Sequence, residues 1–312
     1  MVGGTPGARR GRRAVRIRAA WLLAVLAASV SGVAGAFPAE RAWEHLEAQC
    51  AFGPRNPGSP GHAACRAYIV GVLRASGGRI HEQTFMHTIP GTHEPVALTN
   101  ILARYGPLRS GGLLIGAHWD TRPWAERDPN PQQRDEPILG ANDGASGVAI
   151  LLTLAEMFAV EAPSFPVLLV CFDGEDLGRE EHPEEYCAGS RHFARYLSEP
   201  FPEAGLVLDM VASETMLLSV EDISREQVAE FARLIDELAA DLKLPAYDPF
   251  GAPSLIDDHI PLIQAGLPTV LLVDFRDPHW HTHADVPANC SVASLAQTGR
   301  LVERILSGGY FR

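Results

Sequence analysis

The feature that most restricts this chain is a set of apolar runs that do not alternate. Residues 112–117 (GLLIGA), 166–172 (PVLLVCF) and 267–274 (LPTVLLVD) are nearly continuous apolar stretches of strand length, and 205–209 (GLVLD) is a shorter one. A strand with one wet face alternates apolar and polar residues; an unbroken run belongs in a sheet covered on both faces. Helical spacing fills the intervals at 144–160, 188–198, 224–242, 257–265 and 292–307, and earlier helices are expected near 40–50 and over 62–75. Strands alternating with helices predict an α/β fold, a three-layer sandwich whose mixed, centrally parallel sheet is flanked by helices. Two more expected strands, 80–87 and 97–104, suit an antiparallel pair at one edge.

Charged residues follow each run. His118-Trp119-Asp120 comes after the first, Asp173-Gly174-Glu175-Asp176 after the second, and Asp209 ends the short one. Beyond the last lies Trp280-His281, and Asp143 stands at the head of the 144–160 helix. In an open α/β sheet the carboxyl ends of the parallel strands form the ligand crevice. His118, Asp120, Glu175, Asp176, Asp209 and His281 are therefore expected along one rim, with Asp143 joining them. Singly, each has a plainer explanation. Asp143 suits a helix cap, Asp209 a turn, 173–176 a solvated turn, and Trp280 an ordinary core position. Together, so many carboxylates repel one another unless a cation or shared protons intervene. The histidines among them favour zinc over a hard cation. No Cys-x-x-Cys occurs, so thiolate ligands are not expected, and the chain has no nucleophile elbow, phosphate-cradling loop or dinucleotide fingerprint.

Residues 1–18 hold six arginines and no acid, and 19–36 are apolar and small, ending Val-Ala-Gly-Ala. This pattern predicts an export signal cut after Ala36, leaving 37–312 as a single catalytic domain in the periplasm or outside the cell, with no stable membrane insertion. A retained anchor is the alternative reading. Loss of those six arginines moves the formal charge from −12 to −18, which argues against nucleic acid and anionic membrane as partners. Five cysteines are too few for a disulfide scaffold, although export makes a Cys50–Cys65 bridge conceivable; Cys171 reads as core.

The motifs Gly116-Ala-His-Trp-Asp-Thr121, Ala141-Asn-Asp-Gly-Ala-Ser-Gly147, Phe172-Asp-Gly-Glu-Asp176, Leu208-Asp-Met210, Asp257-Asp-His-Ile-Pro-Leu262 and Trp280-His-Thr282 stand in this order. They resemble the zinc aminopeptidases of family M28, over roughly residues 40–310. Within that family they look most like the glutaminyl-peptide cyclotransferases, because an acid occupies 257 and a tryptophan precedes His281. The cyclase resemblance implies one zinc held by Asp143, Asp176 and His281, with conversion of peptide N-terminal glutamine to pyroglutamate and release of ammonia. It implies that Glu175 is the general base, that Asp209 and Asp257 share hydrogen bonds and receive the departing nitrogen, and that Trp280 walls the substrate pocket. The peptidase resemblance implies two zincs, with His118 and Asp209 completing the second site and Asp143 bridging. The sequence departs from animal cyclases in pairing Glu175 with an aspartate and in lacking an aromatic soon after, where Tyr186 is the candidate substitute. His259 reads as structural, His283 and Asp285 as orienting His281 or capping the last helix, and His87, His93, His182 and His192 as surface.

Overall fold

The computed structural model describes residues 37–311 apart from His93 and Glu180. The expected export signal and its cleavage site lie outside the described residues. Among the described residues, seven strands form one sheet: β1 (Arg79–Thr88), β2 (Pro95–Tyr105), β3 (Leu113–His118), β4 (Val167–Phe172), β5 (Ala204–Asp209), β6 (Ser219–Val220) and β7 (Thr269–Val273). Their spatial order is β1-β2-β4-β3-β5-β7-β6. Strands β4, β3, β5 and β7 run parallel, β1 and β2 pair antiparallel at one edge, and β6 is antiparallel at the other.

Every residue of β3, β4 and β7 is buried, as unbroken apolar runs require. Successive residues feed two different cores. Leu113, Ile115, Leu169 and Cys171 pack on one face with helices α1 (Ala39–Cys50), α2 (Pro60–Ala75) and α3 (Ala145–Val160). Leu114, Leu168, Val170 and Phe172 pack on the other with Phe193 of α4 (Ala188–Arg195) and Leu262 of α7 (His259–Gln264). Each fully buried side chain of this kind contributes roughly 1.5–3 kcal/mol. The three-layer sandwich is therefore a direct product of the two-residue period of a strand with both faces covered.

The expected 224–242 helix is two helices, α5 (Asp222–Gln227) and α6 (Ala229–Asp241), broken at Val228, whose φ of −127° and ψ of 40° leave the helical region. Helix α8 (Val292–Ser307) closes the described chain, capped by Ser291. Strand β6 has two residues, too short to leave a periodicity. The conceivable Cys50–Cys65 bridge is not formed: all five cysteines are free, and these two are buried in the larger core.

Strands β3 and β4 stay in register as far as His118↔Phe172, but β3 follows β5 only to Gly116↔Val207. The last two residues of β3 thus part from β5, and the start of α3 fills the split. A Cβ at Gly147 would lie 2.5 Å from the Leu208 carbonyl and 2.8 Å from Ala117 Cβ, so only glycine permits this approach. Among the described residues, no helix is long and apolar enough to cross a membrane.

Candidate active site

The carboxyl ends of β3, β4, β5 and β7 converge beside this split. Strand β3 delivers His118 and then Asp120, whose carboxylate accepts the N–H groups of Glu175 (3.1 Å) and Asp176 (3.3 Å). That contact ties the turn after β4 to the end of β3. Asp173 points inward instead, taking His62 Nε2 at 2.9 Å, while the His62 ring stacks on Trp119 at 4.2 Å. The 173–176 segment is therefore anchored by burial and is no solvated turn.

Asp143 is freed from a capping role. The N-cap of α3 is Gly144, at φ 98° and with no side-chain cap, and a Cβ there would meet the Asp120 carbonyl at 2.6 Å. Asp285 fixes the turn by accepting the N–H groups of Asn142 (2.7 Å) and Asp143 (3.0 Å). The Asp143 carboxylate is left to face His118, with Oδ1 3.0 Å from Nε2. His281 has a left-handed backbone, φ 58°, uncommon for a residue with a side chain. Its Nδ1 meets Glu126 Oε1 at 2.7 Å, and its Nε2 faces Asp176 at 3.5 Å and Asp143 at 3.8 Å.

Two trios result, Asp143 with Asp176 and His281, and His118 with Asp143 and Asp209, each offering donor atoms within 4.8 Å of one another. Asp143 belongs to both. Nearly all of these groups are buried, and their acidities show the strain. Burial and Asp176 push Asp143 up to about 6, against the pull of His118. Burial also acts to raise Asp176, but Arg122 and His281 outweigh it and hold the carboxyl down at about 2. Burial opposes protonation of His281, yet Asp176 and Glu126 carry it to about 9. Glu175 is raised well above the carboxylate range by burial, with His118 opposing and Asp257 and Asp176 adding to the rise. Asp257 is raised likewise by burial and by Asp209. Protons hold the cluster together where a dication would serve better. The donor set suits zinc: carboxylate and imidazole ligands, and a buried Asp176 Oδ2 with no hydrogen-bond partner.

Several expected roles are corrected. Asp209 directs Oδ1 to His118 Nε2 (3.1 Å) and makes no shared hydrogen bond with Asp257, which accepts the Asp258 N–H instead. Asp285 supports the Asp143 turn, and His283 pairs with Asp128 at 3.0 Å; neither orients His281 nor caps α8. Tyr186 stands behind Asp176, its hydroxyl accepting from Arg122 at 3.1 Å. His87 and His192 are half-buried, the latter stacked on Phe85 at 4.1 Å. His259 is structural, buried against Glu221 at 3.0 Å. Trp280 lies beside the cluster, its ring 4.0 Å from that of His281. Arg122 and Glu126, which touch Asp176 and His281, were not foreseen. They lie in an irregular loop, where an Arg-x-x-x-Glu spacing carries no periodic signal.

A model of peptidase family M28 matches residues 100–306. The chain belongs to peptidase family M28. A glutaminyl-peptide cyclotransferase-like protein from Bos taurus is 25% identical over 281 residues, covering 81% of this chain and 71% of that protein. The crystal structure of Porphyromonas gingivalis glutaminyl cyclase is similar with a TM-score of 0.84 and 32% identity, covering 88% of this chain and 99% of that one. A Zn-dependent exopeptidase from Parabacteroides distasonis reaches a TM-score of 0.83 at 29% identity, covering 87% and 98% of the two chains. Within family M28 the chain groups with the glutaminyl cyclases, on a zinc-dependent exopeptidase-like fold.

Proposed function

We propose that this protein cyclises the N-terminal glutamine of peptides to pyroglutamate and releases ammonia. The observation that carries the reading is the convergence of Asp143, Asp176 and His281 within 4.8 Å, with Glu175 buried next to them. Those three residues would hold one zinc, which when bound supplies a Lewis acid for the side-chain amide carbonyl. Glu175 takes a proton from the substrate α-amine as its nitrogen bonds to the amide carbon. The same carboxyl then returns that proton to the departing nitrogen as the carbon–nitrogen bond breaks, so the pair of steps balances. The neighbouring acids Asp209 and Asp257 would receive the ammonia, and Trp280 would cover the glutamine methylenes. Residues 37–312 form the catalytic domain in this reading, and the sequence of residues 1–36 supports export to where peptide N-termini are met.

The dinuclear aminopeptidase reading needs a second zinc on His118 and Asp209. A metal-bound histidine almost always donates its other ring N–H to an acceptor. Both rings turn Nε2 to two carboxylates, but His281 Nδ1 has Glu126 at 2.7 Å, whereas the carboxylate facing His118 Nδ1, Asp120 Oδ1, stands off at 3.7 Å. This asymmetry favours one zinc. The test is to supply glutaminyl peptides to purified protein and follow ammonia release beside metal content. One zinc per chain with ammonia is expected; two zincs with free amino acids and no ammonia would reverse the assignment.

A further inference from the structure

Arg122 is a fully buried guanidinium with all five N–H groups engaged. Nε donates to Glu126 Oε2 at 2.7 Å, and Nη2 reaches Glu126 Oε1 at 2.6 Å. Nη1 donates to Asp176 Oδ1 at 2.6 Å and to the Asp176 carbonyl at 3.3 Å, while Nη2 also meets the Tyr186 hydroxyl. The rings of Trp124 and Tyr186 lie 5.3 and 5.5 Å from its centre. Glu126 in turn takes His281 Nδ1 at 2.7 Å. A continuous chain of contacts therefore runs from Asp176 through Arg122 and Glu126 to His281. At His281 it occupies Nδ1, and at Asp176 it holds Oδ1, the oxygen that also lies 3.5 Å from His281 Nε2. Asp176 keeps Oδ2, buried and without a partner, and His281 keeps Nε2, facing Asp143 and Asp176.

We propose that Arg122 and Glu126 are positioning residues, one ion pair with a buried guanidinium and a half-buried carboxylate that orients two metal ligands at once and thereby sets metal affinity. The inference rests on the reading that the trio holds zinc. Partners behind metal ligands typically matter by 10–100-fold in affinity. Arginine suits this place because its planar fork serves two carboxylates in fixed directions, which an ammonium does not.

Zinc affinity is measured by competition with a chromophoric chelator for the wild type, Glu126→Ala, Glu126→Gln and Arg122→Lys, beside the melting temperature of each metal-free protein. Glu126→Ala is expected to weaken zinc binding about 10–100-fold. Glu126→Gln, which keeps an acceptor for His281, recovers part of that loss. Arg122→Lys keeps the charge but frees Asp176 Oδ1, so the visible spectrum of its cobalt-loaded form shifts as affinity falls. Zinc affinities within about twofold of wild type (under 0.5 kcal/mol) for Glu126→Ala and Arg122→Lys overturn the proposal. So do losses that merely track lowered metal-free melting with an unchanged cobalt spectrum. A wild type that takes up no zinc overturns the metal reading and this inference together, whereas zinc binding without glutamine cyclisation overturns the reaction alone.

Discussion

Glu175 adjoins Asp176 in sequence and faces buried carboxyls in space, and its backbone is held by Asp120 while its Oε1 accepts from the Cys187 thiol at 3.4 Å. Fixed in place and easily protonated, it is matched to carrying a proton between two nitrogens. Glu175→Gln removes that capacity with little change in shape. Its kcat on a glutaminyl peptide is expected to fall about 10²–10⁴-fold with zinc content unchanged; a rate near wild type would remove Glu175 from the mechanism. At this scale the sequence was most informative where a residue follows an apolar run. That position puts Asp176, Asp209 and His281 on one rim and the head of the 144–160 helix brings Asp143 to it, and the four side chains meet there. Direction was harder to read, because which partner a carboxylate turns to depends on contacts across the fold. Asp209, expected to face Asp257, turns to His118. Arg122 and Glu126 carry no mark in the sequence for the same reason: their partners come from two other segments.

Helices are held here by close contact and by buried caps. Gly147→Ala places a methyl against the Leu208 carbonyl and Ala117 in a helix start that cannot retreat. Overpacking of this kind costs about 1–3 kcal/mol, and the expected result is a lowered melting temperature by calorimetry. Glu221 caps α5 by accepting the N–H groups of Ile223 (2.7 Å) and Ser224 (2.8 Å), and also serves His259 and the Leu255 N–H. Burial acts to raise its pKa, but His259 and those backbone donors together depress it below 4.5. A depressed carboxyl stabilises the native state fully above its unfolded pKa and loses that contribution as pH falls through the native value. Glu221→Gln is therefore expected to cost about 1–3 kcal/mol at neutral pH, with the gap to wild type closing below about pH 4.5 in denaturant titrations. A gap independent of pH would assign the effect to shape instead of charge. Element types and order were legible because period and length separate strands from helices. The Val228 break was not, since the amphipathic pattern continues across it.

For the molecule as a whole, removal of the metal should be felt as lost stability. The clustered carboxylates raise the pKa of His118 and His281, so protons there offset part of the acidic charge, and a bound cation would take their place. A chelator is expected to lower the melting temperature, and zinc to restore it by mass action, about 2.7 kcal/mol at a hundred times Kd. No zinc-dependent shift would argue that the donors do not grip an ion. The largest consequence follows from the parting of β3 and β5. Asp143 and Asp176 belong to the side of the sheet built by β1 to β4, while His281 follows β7 on the other. An ion gripped by all three is a rivet across the seam, so prising the two halves apart and emptying the catalytic centre would be one and the same motion.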